Sequence, residues 1–209
     1  MKYSTKTLLA WLAPLVLLSA CSAPAPKPVV TQEAETPKEQ LRIEAASAEF
    51  SKALKSMADK KYDQAEEQLL EMARQYPDLP GVYANLGILY TQTDRDKEAQ
   101  ESFQRALELK PNFPAVLNHL AYLHRTQGRF ELALKTYEQA LKIDPAYADT
   151  HLNLGILYDL YLMEPVNALR QYQIYVDMAR PPENDPVRKW VTDLSTRAEK
   201  TAQEPQQGN

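Results

Sequence analysis

The chain repeats a set of residue types every 34 positions. Proline recurs at this spacing at Pro77, Pro111 and Pro145. A period of this length is typical of a helix–turn–helix unit, which cannot bury its apolar face alone and must stack on its neighbours. The sequence therefore predicts an all-α solenoid that offers a surface for interactions. The other positions that keep the period are Leu86-Gly87, Leu120-Ala121 and Leu154-Gly155; Tyr90, His124 and Tyr158; Ala99 and Ala133; Phe103 and Tyr137; and Ala106 and Ala140.

Residues 1–20 are predicted to be an export signal. Lys2 and Lys6 precede an apolar run over residues 8–18, which is too short to span a bilayer comfortably. The run ends in Leu-Ser-Ala-Cys at residues 18–21. This tetrapeptide resembles the bacterial lipobox, where the signal is cut before a cysteine that is then lipidated. The alternative interpretation is an ordinary signal peptide that ends in a chance cysteine.

Cys21 is the only cysteine of the sequence, so no internal disulfide can form. The lipobox resemblance implies that Cys21 is lipidated and anchors the protein stably to a membrane. The residue after Cys21 is Ser22 and not aspartate. In this respect the chain resembles lipoproteins of the enterobacterial type that are sorted to the periplasmic face of the outer membrane. Residues 21–36 are therefore expected to hold the lipidated cysteine and a flexible, proline-rich tether.

The charge of the chain is acidic. The whole sequence has a net charge of −4, and removal of residues 1–20, with their two lysines, leaves 22 basic and 28 acidic side chains, or −6. This balance argues against nucleic acid or an anionic lipid surface as the main partner.

Residues 80–113 and 114–147 resemble tetratricopeptide repeats over their full length. Small residues suit the points where the two helices of such a unit cross closely, and the proline ends the second helix. The resemblance implies an α-solenoid of tetratricopeptide helix–turn–helix units. The residues that carry it are Tyr83, Leu86-Gly87, Tyr90, Ala99, Phe103, Ala106 and Pro111 in one unit, and Leu117, Leu120-Ala121, His124, Ala133, Tyr137, Ala140 and Pro145 in the next.

The units on either side are less regular. Residues 37–79 are interpreted as a degenerate first unit, in which Glu49 and Ser56 stand where aromatic residues are expected. Residues 148–182 begin like the regular units, but Ala168 and Tyr172 fit the pattern only if one residue has been inserted. Terminal units of a solenoid are often atypical because they cap it.

The C-terminal part is predicted to cover the open end of the last repeat. Residues 183–200 are expected to form a capping helix, with Asp185 as N-cap and Pro186 at the first helical position. Its apolar stripe contains Trp190. The polar residues 201–209 are expected to be a disordered tail.

The sequence lacks the patterns of an enzyme. Five scattered glycines form no phosphate-binding loop, and one cysteine with three histidines gives no zinc-binding pattern. His124 and His151 stand at repeat positions where the pattern has aromatic residues. They are therefore predicted to pack in the core rather than to bind a metal or act in catalysis. We therefore expect no catalytic residue, no metal site and no cofactor.

The resemblance implies that protein partners bind in a concave groove lined by the first helix of each unit. Relatives that bind a C-terminal carboxylate use lysine and asparagine at two groove positions, but here these positions do not carry that pair, so the clamp is absent. An apolar groove suits an extended or helical peptide instead. Arg125 and Asp159 are expected to be charges at the rim. The residues predicted to line the groove are Phe50, Leu54, Met57, Ala84, Ile88, Asn118, Tyr122, Arg125, Leu152, Ile156 and Asp159.

The combined resemblances imply a periplasmic lipoprotein that acts as a scaffold or adaptor for an envelope complex. Three pathways fit this architecture: assembly of pili or secretins, which is slightly favoured, organisation of peptidoglycan enzymes, and energy transduction of the TonB type. The alternative is a structural lipoprotein that self-assembles, with homo-oligomerisation through the Trp190 helix or the irregular segment 159–165.

Overall fold

The computed structural model describes the backbone of residues 37–203 and the side chains of residues 44–197. The predicted signal peptide, Cys21 and the tether lie outside these residues, as do residues 204–209. The described part contains helices and no strand, which confirms the predicted all-α class. The helices are α1 Pro37–Ala58, α2 Tyr62–Gln75, α3 Pro80–Gln92, α4 Asp96–Leu109, α5 Pro114–Thr126, α6 Phe130–Ile143, α7 Ala148–Leu160, α8 Pro165–Ala179 and α9 Pro186–Gln203.

Local sequence explains where the helices begin and turn. Proline stands at the start of α3, α5 and α8. At this position the backbone N–H has no partner within the helix and the fixed φ of proline is already helical, so proline does not destabilise the helix. The turn inside each helix pair contains one residue at positive φ, which reverses the chain direction. Only one of these residues is glycine, the residue that adopts this conformation without strain. They are Lys60, Asp94, Gly128 and Met163.

Consecutive helices pack as pairs, α1 with α2, α3 with α4, α5 with α6 and α7 with α8, and each pair contacts the next. The first helices also contact one another directly, since α1 meets α3, α3 meets α5 and α5 meets α7. Within the described residues, α2, α4, α6 and α8 make no such contacts with one another. The first helices therefore form the inner side of the stack, and this confirms the repeat solenoid predicted from the sequence.

The pairs α3–α4 and α7–α8 are each held at a point where an aromatic ring covers a glycine. A Cβ added to Gly87 would lie 2.5 Å from the ring of Phe103, and one added to Gly155 would lie 2.5 Å from the ring of Tyr172. Tyr172 therefore takes the structural place of Phe103, although it lies one residue beyond the 34-residue period. The predicted insertion is confirmed, and it lies in the turn between α7 and α8.

The helix α9 packs on α8 and covers the apolar end of the last pair. Val187 and Leu194 are buried in the core, and the Trp190 ring lies 5.4 Å from that of Tyr172, centroid to centroid. The carboxylate of Asp185 accepts a hydrogen bond from the Val187 N–H at 3.0 Å, as expected of an N-cap. The helix continues to Gln203, three residues past the predicted end. None of the helices in 37–203 is long and apolar enough to cross a membrane.

The contact between Gly87 and Phe103 predicts a sharp difference between two glycines of the same helix. Gly87→Ala should lower the free energy of unfolding by about 1–3 kcal/mol, because the ring must move to admit the methyl group. Gly81→Ala is the matched control, since its added Cβ would lie 3.5 Å from Phe50, an ordinary contact. It should be neutral or stabilising by up to about 1 kcal/mol. Urea unfolding of both variants measures the difference, and equal effects would contradict the proposed packing.

Candidate protein-binding groove

The inner side of the stack carries a cavity of about 400 Å³ that spans three helix pairs. We call this cavity the groove. Because α3, α5 and α7 lie side by side, each contributes one or two turns of side chains to it. The lining residues are Ile88, Thr91, Gln92, Asn118, His119, Tyr122, Asp149, Leu152 and Asn153.

Apolar side chains from all three helices meet in the groove. Ile88 of α3, Tyr122 of α5 and Leu152 of α7 supply its apolar surface. Ile88 and Leu152 also pack against the core, so they are held in place from behind. Tyr122 is exposed to solvent, with 36% of its surface accessible. The groove thus offers anchoring contacts for apolar side chains of a partner.

The polar side chains of the groove are fixed by contacts within the protein. The Asn153 side-chain amide donates a hydrogen bond to the side-chain oxygen Oδ1 of Asn118 at 3.1 Å, which ties α7 to α5. His119 stacks on Phe103 with a centroid distance of 6.0 Å. Burial lowers the pKa of His119, while the charge of Asp149 opposes this shift. The imidazole is therefore neutral at pH 7, and the groove presents mainly uncharged hydrogen-bonding groups.

Arg125 lies under the groove surface, which corrects its expected place at the rim. Only 8% of the residue is exposed, and its guanidinium carbon lies 5.0 Å from the ring centroid of Tyr122 and 5.5 Å from that of Tyr161. Tyr161 belongs to the turn after α7, which is one residue longer than the corresponding turns of the regular units. Arg125 therefore supports Tyr122 from below through cation–π contacts.

Asp159 also differs from a rim charge. Its carboxylate is mostly buried and lies 3.8 Å from the Arg197 guanidinium, which joins α7 to the capping helix. It is not among the residues that line the groove. Its contacts fit a role in attaching α9 rather than in setting the register of a partner.

Other predicted lining residues lie outside the groove. Ala84 is buried in the core, which leaves it no surface to offer a partner. Phe50 and Met57 pack against the core from α1, while Leu54 of the same helix is exposed and is not among the lining residues. Ile156 packs against the second core cluster. The structure therefore brings together Ile88, Asn118, Tyr122 and Leu152 from the predicted set.

Five lining residues were missing from the predicted set: Thr91, Gln92, His119, Asp149 and Asn153. His119 and Asn153 are 34 residues apart and therefore occupy the same position of the repeat. In the structure this position joins two units, since Asn153 bonds to Asn118, and it also faces the groove. The shared position was the signal that could have identified both residues.

The two histidines predicted to pack are buried. His151 hydrogen-bonds with the Gln171 side chain at 2.7 Å and with the Pro145 carbonyl at 3.0 Å. His124 has the lower exposure of the two, at 6%. Over the residues that the structure describes, no cluster of His, Cys, Asp or Glu could hold a metal ion.

Tetratricopeptide-repeat models match most of the stack described above. One, described as a tetratricopeptide repeat, matches residues 56–123, and a second, described as a TPR repeat, matches residues 122–159. The fold and the groove define a helical-repeat adaptor for protein–protein interactions. More specifically, the chain belongs to the tetratricopeptide-repeat family.

Solved structures share this fold. The structure of pilF from Pseudomonas aeruginosa has a TM-score of 0.68 and 22% identity, with 77% of this chain and 72% of that chain covered. A thermophilic TPR protein of Thermus thermophilus has a TM-score of 0.62 and 19% identity, with 78% and 93% covered. YrrB, described as a TPR protein with an unusual peptide-binding site, has a TM-score of 0.53 and 22% identity, with 77% of each covered. No curated protein sequence matches the chain.

The buried tyrosine beside Arg125 predicts a loss of stability in alkali. Burial raises the pKa of Tyr137 to about 12, although the Arg125 charge opposes the shift. In the unfolded chain the phenol ionises near its ordinary value of 10.0, so between these values ionisation favours unfolding and stability falls as the pH rises. Tyr137→Phe should reduce this slope by up to about 1.4 kcal/mol per pH unit in urea unfolding.

The matched change Tyr161→Phe alters an exposed tyrosine and tests for a general effect of losing a hydroxyl. A slope in Tyr137→Phe that equals the wild-type slope would show that this phenol does not cause the alkaline loss.

Proposed function

We propose that the protein is an adaptor that holds a peptide segment of an envelope protein in the groove. The observation that carries this proposal is the convergence of Ile88, Tyr122 and Leu152 from three successive units on one cavity. A partner with apolar side chains can anchor them there while its backbone meets the fixed amides of Asn118 and Asn153. The function is presentation of a partner, and no bond is made or broken.

The absence of cationic side chains among the lining residues shapes the expected ligand. Asp149 is the one charged residue among the nine, apart from the neutral His119. A groove of this charge does not favour a C-terminal carboxylate, and it favours an uncharged or basic segment. Apolar anchors therefore supply most of the affinity.

The location is proposed from the N-terminal sequence. Lipidation of Cys21 would fix the protein to a membrane, and the outer membrane is the proposed site because Ser22 follows the cysteine. The tether of about 15 residues would reach about 50 Å when fully extended, at roughly 3.3 Å per residue. The adaptor could then meet partners well away from the lipid surface.

Within the envelope we rank assembly of pili or secretins first. Small lipoproteins with few repeats are familiar in this role, and the ranking is an analogy of architecture. Complexes of peptidoglycan enzymes and of TonB-type energy transduction remain the other candidates, because the same groove could present their components.

Removal of the groove anchors should abolish partner binding. In a crosslinking pull-down from membranes, Tyr122→Ala combined with Ile88→Asp should reduce the recovered partner at least about tenfold, because buried anchors carry most of the energy of an interface. The control combines Met178→Ala with Leu70→Asp, a matched truncation and a matched charge at exposed positions outside the groove.

Circular dichroism should show that both double variants remain helical. Full recovery of the partner by a folded groove variant would refute binding in the groove. Equal losses in both double variants would point to a general effect on the surface.

The membrane anchor has its own test. Cys21→Ser should move the protein from the membrane fraction to the soluble periplasmic fraction, because the substituted residue cannot carry acyl chains. Ser22→Ala, next to it, should leave the membrane fraction unchanged. Continued membrane attachment of the Cys21→Ser protein would exclude the lipid anchor.

Self-assembly is the second candidate, and one observation favours it. The turn between α7 and α8 and the two helix ends beside it expose four large apolar side chains, at Leu160, Tyr161, Met163 and Val166, of which Met163 is 75% exposed. Such a patch is a common feature of association surfaces. Light scattering of a soluble form that begins at residue 36 tests it: a mass that stays monomeric at every concentration would exclude this candidate.

A further inference from the structure

We call the contact between the second helix of one pair and the next pair a junction. The first junction, between α2 and the pair α3–α4, contains Tyr90; the second junction lies between α4 and the pair α5–α6. The Tyr90 hydroxyl donates a hydrogen bond to Glu66 at 3.1 Å, and the Arg95 guanidinium donates to both carboxylate oxygens of Glu66 at 2.8 Å. The guanidinium carbon of Arg95 also lies 4.3 Å from the centroid of the Tyr90 ring. Glu98 accepts a further hydrogen bond from Arg95 at 3.0 Å. Ring, cation and carboxylates therefore fill this junction together.

One period later, the same positions carry different residues. Gln100 stands for Glu66, and the guanidinium of Arg129, which stands for Arg95, donates a hydrogen bond to it at 3.1 Å. The tyrosine, however, is replaced by His124, whose ring is shorter by the phenol hydroxyl and one ring atom. The cation and its partner on the preceding helix are thus kept, while the six-membered ring between them is lost.

The second junction contains a depression of about 490 Å³ at this place. His124 lines it, and the buried Nδ1 of this histidine has no hydrogen-bond partner among the described residues. Leu132, which replaces Glu98 by the same period, is 42% exposed at its edge. The depression is lined by Gln100, Gln104, Leu107, Glu108, Leu120, His124, Arg129 and Leu132, and it shares none of them with the groove.

We propose that this depression is a second binding site, which takes a tyrosine side chain of a partner protein. The hydroxyl end of the incoming phenol would occupy the space that the hydroxyl end of Tyr90 fills at the first junction, and its ring would lie in the depression beside His124. Leu107, Leu120 and Leu132 would contact its ring, and Arg129 would meet the ring face as Arg95 meets Tyr90.

The polar groups of the depression suit a phenol rather than a plain aromatic ring. At the first junction the tyrosine hydroxyl donates to the side-chain oxygen of Glu66. Gln100 offers a carbonyl oxygen at the equivalent position. Burial and the Arg129 charge lower the pKa of His124, so its imidazole is neutral at pH 7 and also offers an acceptor.

The test uses p-cresol, which is the tyrosine side chain as a free molecule. The full chain has three histidines, so a protein labelled only at histidine gives three sets of ring signals in an NMR spectrum. Titration with p-cresol should shift the ring signals of His124 and leave those of His119 and His151 in place. Toluene, which lacks the hydroxyl, should bind about fivefold more weakly, the equivalent of one hydrogen bond. No shift at His124, or equal shifts at all three histidines, would overturn the proposal.

Two variants alter the site in different ways. His124→Tyr restores the residue found at the first junction and should abolish saturation transfer from the protein to p-cresol. Leu132→Ala shortens an exposed side chain and should weaken p-cresol binding about fivefold, because it removes one apolar wall of the depression. Undiminished binding in Leu132→Ala would overturn the proposal even if His124→Tyr failed to fold.

The groove variant separates this site from the proposed adaptor function. Tyr122→Ala combined with Ile88→Asp should bind p-cresol at the wild-type affinity, because neither residue lines the depression. Loss of p-cresol binding in this folded variant would place the phenol in the groove and overturn the second site. Failure to recover a groove partner would leave the p-cresol result unaffected.

Discussion

The close crossing of the two helices within each pair is the constraint on which the rest of the structure depends. Phe103 covers Gly87, and Tyr172 covers Gly155, at distances that leave no room for a Cβ. Because the ring fills that space, the separation of the helices is fixed, and the next pair must stack at a fixed angle. The insertion before α8 shows the strength of this requirement. The chain absorbs one extra residue in the α7–α8 turn, where Met163 takes a positive φ, and the ring still reaches its glycine.

That crossing also determines which surfaces are available. It brings the first helices into direct contact, so that Ile88, Tyr122 and Leu152 share one cavity although 34 or 30 residues separate them along the chain. The second helices do not touch one another within the described residues, and each junction between them is closed by whatever side chains the local sequence supplies. A groove on the inner side is therefore a property of the whole stack. A depression such as that beside His124 is a property of one junction.

The period made much of this predictable from the sequence. It identified the helix pairs, the crossing residues, the insertion before Tyr172 and four side chains that meet in the groove. It failed for Arg125, because the guanidinium of that buried side chain contacts Tyr161, which lies in the turn that is one residue longer than in the regular units. It also failed for Ala84, a side chain too small to reach from the helix axis to the groove surface. The position of a residue in the repeat predicts the direction in which its side chain points. The exposure of that side chain also depends on its length and on which residues of the neighbouring turn cover it.

The locality of contacts in a solenoid explains why such departures are tolerated. The stability of a repeat array is close to a sum of the terms for each unit and for each junction between neighbours. Replacement of tyrosine by His124 therefore weakens one junction, while the ion pair of Arg95 and Glu66 at the preceding junction is unaffected. In a compact domain with a single core, a cavity left by the same substitution would disturb the packing of many residues across the domain. In this fold a unit can lose part of its own packing and gain a surface for a ligand, so the positions that break the period are where binding specificity can arise without loss of the fold.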